Sequence, residues 1–187
     1  MDDIKIMIQS TPNPNALKFI LNRPVKTEGK ISYRNVNECG GNPLAEKLFT
    51  VPHVTELHFF ENVITVSQDG RGDWDPIEES VKSIIQENIA RHNPNFEVKE
   101  EKAKPALTGD LMKIDTILDN TVRPYLQSDG GDLQIIALEG NRLIVNYQGA
   151  CGSCPSSTAG TLKAIENILR EEFNPDIEVV PAQSQPF

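Results

Sequence analysis

Two hydrophobic periodicities alternate along this chain. In the first half, "IKIMIQ" (residues 4–9) and "ALKFIL" (16–21) read as strands, separated by the turn-rich "STPNPN". "NPLAEKLFTV" places Leu44, Ala45, Leu48 and Phe49 at helical spacing. "VTELHFF" (54–60) and "VITVSQ" (63–68) return to strand character, with "EN" between them as a hairpin turn. A second helix follows in "DWDPIEESVKSIIQENIARH", where Ile77, Val81, Ile84, Ile85 and Ile89 line one face. Asp75 is its expected N-cap, with Pro76 at the first helical position and Glu78 completing a capping box. The order is ββαββα, with a short extension at "FEV". It predicts helices on one face of a mostly antiparallel sheet.

The second half opens on a helix, "GDLMKIDTILDNTVRPYLQS", with Leu111, Ile114, Ile117, Leu118 and Val122 as its apolar stripe. Pro124 bends that helix or restarts its last turn, and "DGG" ends it. "DLQIIALEG" and "RLIVNYQG" form a hairpin about Gly140-Asn141. A helix with Leu162, Ile165, Ile168 and Leu169 on one side and a short strand, "IEVV", complete an αββαβ order. Between the halves, "KEEKAKPA" is charged and free of large apolar residues. The chain therefore reads as two small α+β domains, 1–98 and 106–187, joined by a linker over 99–105. Domains of that size are marginal and often recruit a metal or a partner subunit.

Charge narrows the partners. A net charge of −9 argues against non-specific nucleic-acid binding and against an anionic membrane surface. No apolar run approaches the ~18 residues of a membrane helix. "MDDIKIMIQS" resembles neither a secretory signal nor a transit peptide, so the expected location is cytoplasmic. Three cysteines do not make a secreted disulfide framework.

The chemistry concentrates in "GACGSCPSSTAGTLKAI", residues 149–165. Cys151 and Cys154 lie at a strand-to-helix turn, with Gly149 and Gly152 supplying backbone freedom. Pro155 and Ser156 fit a helix start whose unpaired N–H groups favour a thiolate or an anionic cluster. Three readings compete: small residues at a tight turn, a thiol–disulfide centre, and a metal centre. The thioredoxin-like reading lacks a βαβ unit ahead of the motif and a Trp before the first Cys. A metal centre wants four ligands, and the chain adds only the remote Cys39, with His53, His58 and His92 lacking zinc-site spacing. The simplest completion is a second copy, two CxxC pairs facing each other across a two-fold axis. A structural Cys₄ zinc dimer and a thiol–disulfide oxidoreductase stay open alongside a cluster.

"VRPYLQSDGGDLQII" and "VNYQGACGSCPSSTAGTLKAIENILREEFNPDIEVV" resemble the C-terminal domain of NifU, found also in Nfu-type iron–sulfur proteins, over residues 110–180. "QSTPNPNALKF", "NPLAEKLF" and "FFENVITVSQ" resemble the Nfu N-terminal domain over roughly residues 5–95. The resemblance implies a non-enzymatic scaffold or carrier. Its [4Fe–4S] cluster would be bridged between two subunits by Cys151 and Cys154 of each, then passed to apo iron–sulfur acceptor proteins. It also implies upstream cluster assembly machinery as a partner and a docking or regulatory N-terminal domain. Cys39 and the three histidines are read as structural or surface residues. "SDGGD" (128–132) is read as shaping a turn, with Asp129 and Asp132 poor candidates for acid/base work.

Overall fold

The computed structural model describes residues 4–96, 109–151 and 157–182, without the side chains of 157–159. The chain divides into two compact units, Met1–Lys99 and Glu100–Phe187. The expected linker lies outside the described residues, as do Glu97 and Val98 of the "FEV" extension. Both units mix helices and strands, so the fold class is α+β as expected.

The first unit is a five-stranded antiparallel sheet in the order β1-β2-β5-β4-β3. Its strands are β1 (Ile6–Ser10), β2 (Ala16–Leu21), β3 (Lys26–Tyr33), β4 (Val54–Glu61) and β5 (Val63–Gln68). Period-2 alternation sends Phe19, Leu21, Leu57, Phe59, Ile64 and Val66 to one face, where they join the buried core. That core is closed by Leu44, Ala45 and Leu48 of α1 (Pro43–Leu48) and by Ile77, Val81 and Ile85 of α2 (Trp74–Asn88).

Two local expectations change here. The sequence pattern predicts no strand at β3, because "KTEGKISY" carries charges and a glycine where a strand would alternate. Gly29 sits at φ 69°, and the register with β4 shifts between Lys26 and Lys30. A bulged, charged edge strand is held by its neighbour's hydrogen bonds, not by its own pattern. The α2 cap is Asp73, not Asp75: its carboxylate accepts from the Asp75 N–H at 3.3 Å. Pro76 then falls at the third helical position, where a missing N–H still leaves no intrahelical bond unmade.

In the second unit, the first helical stretch is two helices, α3 (Asp110–Thr121) and α4 (Arg123–Ser128), with Pro124 restarting the chain at the second position of α4. β6 (Gly131–Glu139) and β7 (Arg142–Gly149) pair antiparallel about Gly140-Asn141. β8 (Glu178–Pro181) lies parallel to β7 and is reached through α5 (Ser157–Glu172). A parallel return needs such a crossover, and Cys151 stands at its start, directly after β7. Glu166 ties α5 to β8, accepting the Val179 N–H at 3.1 Å while pairing with Lys163 and Arg170. Ile114, Leu118, Leu133, Leu143, Val145, Ile165 and Leu169 fill the core between the helices and the sheet. No helix among the described residues is long and apolar enough to cross a membrane.

Candidate cluster-ligand turn

Cys151 follows directly on β7. Leu143, Val145, Tyr147 and Gly149 alternate onto the buried face, and Gly149 turns at φ 63°, a left-handed conformation that a side chain would strain. Ala150 donates its N–H to the Gly130 carbonyl at 3.1 Å, which ties the turn back to the start of β6. Cys151 itself is partly exposed and packs against the core of its unit. Cys154, Pro155 and Ser156 lie outside the described residues.

Gly131 pairs with Gly149 across the hairpin. A Cβ at Gly131 would meet the Cys151 sulfur, and would stand 2.9 Å from both its Cβ and its N. No such contact is tolerated, so the cysteine side chain fills the space that a residue at 131 would otherwise claim. The "SDGGD" run thus does more than end a helix: its second glycine is the floor under Cys151.

The next residue fixes that floor. Asp132 is fully buried; its Oδ1 accepts the Leu133 N–H at 2.6 Å and its Oδ2 accepts from Gln127 Nε2 at 3.1 Å. Arg123 reaches the same corner, with Nε 3.8 Å from Asp132 Oδ1 and donating to the Leu133 carbonyl at 3.3 Å. Its other nitrogens pair with Asp115 at 2.6 Å and with Asp119. Burial alone would lower the guanidinium pKa, but the hydrogen bonds to Asp119 and Asp115 outweigh it and raise it. Both oxygens of Asp132 are engaged in holding backbone and α4 together. Those bonds fix the turn between α4 and β6.

The remaining candidates are elsewhere. Cys39 is 2% exposed in the core of the first unit, its Sγ 3.7 Å from the Asn35 carbonyl. Burial pushes its thiol up to about 11, reinforced by Glu46 and Glu38, so it stays protonated. His53 pairs with Asp69 at 3.2 Å, His58 Nδ1 bonds the Ser32 hydroxyl at 2.7 Å, and His92 Nε2 donates to the Val25 carbonyl at 2.7 Å. Among the described residues no group of three or more His, Cys, Asp or Glu is placed to hold a metal. Sequence reasoning missed Gly131 and Arg123 as parts of this turn, since neither has a local signal of its packing.

Residues 6–92 match the family described as scaffold protein Nfu/NifU N terminal, and residues 114–180 match the NifU-like domain. Over 180 residues, 94% of this chain, it is 32% identical to the NFU1 iron-sulfur cluster scaffold homolog, mitochondrial, of Drosophila grimshawi. It is 30% identical over 88% of its length to the NifU-like protein 4, mitochondrial, of Arabidopsis thaliana. The chain spans 60% and 61% of the length of these two relatives. A solution structure of a NifU-like protein from Saccharomyces cerevisiae aligns over 53% of this chain and 87% of that one, at 24% identity and a TM-score of 0.44. The cytoplasmic location does not stand, since both relatives are named as mitochondrial proteins. Addresses are read by receptors and leave no mark on a folded domain, so a strand-like N-terminus carries no information about compartment.

Proposed function

This chain belongs to the Nfu family of iron–sulfur cluster scaffold proteins, and from that premise we propose that it carries a [4Fe–4S] cluster between two copies of itself. Cys151 and Cys154 of each copy supply the four thiolates, and the cluster is cargo for apo iron–sulfur proteins. The observation that supports this best is the Cys151 turn: a partly exposed thiol at a helix-preceding loop, floored by a glycine that admits nothing else. Two thiolates per chain are half a ligand set, and an isologous dimer doubles them. The setting follows the relatives' names, the mitochondrion.

Delivery follows from the same shortage of ligands. When each chain holds only a pair, cluster binding and dimerisation stabilise each other, and loss of one loosens both. An acceptor thiolate takes the place of one cysteine thiolate at iron, with no net change of charge, and the bridge opens stepwise. The first unit is a docking or regulatory module, and domains 1–98 and 106–187 fold apart, with the cluster on the second. Anaerobic reconstitution with iron and sulfide, followed by native mass spectrometry and acid-labile sulfide analysis, tests the reading. One cluster per two chains is expected. A complete cluster on a stable monomer, zinc without sulfide, or a CxxC disulfide without metal overturns it.

A further inference from the structure

Tyr147 has a hydroxyl that the folded chain does not use. Its side chain is 6% exposed, and its oxygen is one of three buried side-chain polar atoms without a hydrogen-bond partner among the described residues. The other two, the hydroxyls of Thr65 and Ser67, belong to the other unit. A buried phenol without a partner forfeits the hydration of its hydroxyl, and a phenylalanine would fill the same space without that cost. Such an atom calls for a partner.

The hairpin register says where that partner sits. Tyr147 pairs with Leu133, and Gly149 with Gly131, in adjacent rows of the same buried face. The Cys151 sulfur lies where the side chain of residue 131 would be. Position 131 is therefore the diagonal cross-strand neighbour of Tyr147, at a spacing of about 7–8 Å between backbones that long side chains bridge. Cys151 packs against the core cluster to which Tyr147 belongs. A phenol on the row next to a sulfur is a donor near an acceptor.

We infer that the Tyr147 hydroxyl is the hydrogen-bond donor to the sulfur of the cluster held by Cys151, a positioning residue that tunes how firmly this chain holds its cargo. The inference rests on the cluster reading above. Hydrogen bonds to cluster sulfurs draw electron density from iron–sulfur bonds and raise the reduction potential. In apo-protein the donor waits unpaired, so the cost is borne by the empty state and relieved on loading.

Tyr147→Phe separates this role from packing, since it removes one oxygen and keeps the ring. Wild type and variant are reconstituted anaerobically as full-length chains. Apo thermal midpoints, resonance Raman Fe–S(Cys) stretching bands, reduction potentials and rates of cluster loss to a ferrous chelator are then compared. The variant is expected to keep or raise its apo midpoint, shift the Fe–S(Cys) bands upward, lower the potential, and lose cluster faster by on the order of tenfold. Identical bands, potential and loss rate in the two holo-proteins overturn the inference and leave Tyr147 a packing residue. Failure of both proteins to take up iron and sulfide overturns the cluster reading, and this one with it.

Discussion

Cys39 and Cys151 begin the same short pattern, Cys-Gly-x-x-Pro ahead of a helix, in "CGGNP" and "CGSCP". The surroundings make opposite things of them. In the first unit Cys39 closes a 3-10 turn, Gly40 reverses the chain at φ 52°, and the thiol is buried and held protonated by its surroundings. The fourth position is Asn42, whose Oδ1 accepts the Ala45 N–H at 3.3 Å and whose Nδ2 donates to the Tyr33 hydroxyl at 3.1 Å. In the second unit the thiol is partly exposed, and the fourth position is a second cysteine. One pattern starts a helix with a capping amide, and the other carries a second thiol. A local motif thus has no chemistry of its own until burial and the fourth side chain are specified.

The comparison breaks first, and with the largest effect, at the ligands. Cys151→Ser or Cys154→Ser is expected to cut reconstituted iron and sulfide by at least about tenfold, as loss of a ligand exceeds loss of its outer support. Cys39→Ser should leave both at wild-type level. Equal losses in all three variants would make the two turns equivalent and the ligand set wrong.

Gly131→Ala tests the floor of the second turn. The added methyl collides with Cys151, so the turn must move, at a cost of about 1–3 kcal/mol to the second unit. Chemical denaturation followed by far-UV circular dichroism should show that loss. Fluorescence of Trp74, the chain's one tryptophan and part of the first unit, should not change its midpoint. Cluster uptake should fall with the misplaced thiol.

A smaller effect sharpens the contrast from the other side. Asn42→Cys gives the first unit the spacing of the second. It removes a helix cap and leaves Tyr33 without its donor, so the Trp74 transition should fall by about 1–2 kcal/mol. Bound iron should not rise, because Cys39 remains buried and protonated. Extra iron in this variant would show that spacing alone suffices.

The smallest effect separates the units by pH. Burial lowers the His92 pKa from 6.5, only partly offset by the N–H it donates to Val25, so the unfolded chain binds this proton more readily. That contribution is present above about 6.5 and is lost as pH falls through the lower folded value. In the second unit the Glu166 pKa is lowered from 4.5, first by Lys163 and then by the Val179 N–H. Its contribution persists until pH falls below the ordinary carboxylate value. Acidification should therefore weaken the Trp74 transition before it weakens amide protection in α5 and β8. The reverse order would mean that His92 carries its proton in the fold.

Much of this molecule is legible without coordinates because its elements obey period. β2, β5, α2 and α5 announce themselves by apolar residues on one face, which must be buried somewhere. The Pro124 restart and the Gly140-Asn141 turn are equally local, set by a ring that lacks an N–H and by a glycine at φ 61°. β3 escaped because an edge strand with a bulge owes its shape to β4. The α2 cap escaped by two residues because Asp73 and Asp75 are both chemically able to cap, and only the path of the chain chooses between them.

The sequence by itself determined which side chains are available: two cysteines three apart ahead of a helix. Tertiary structure decided what surrounds them. That Gly131 lies under Cys151, and that Tyr147 stands one row from it with a hydroxyl left without a partner, depend on the β6–β7 register. The reason is physical. Ligand type is a property of one residue, whereas close approach, burial and an unmet hydrogen bond are relations between residues far apart in the chain, and only the pairing of strands brings those into contact.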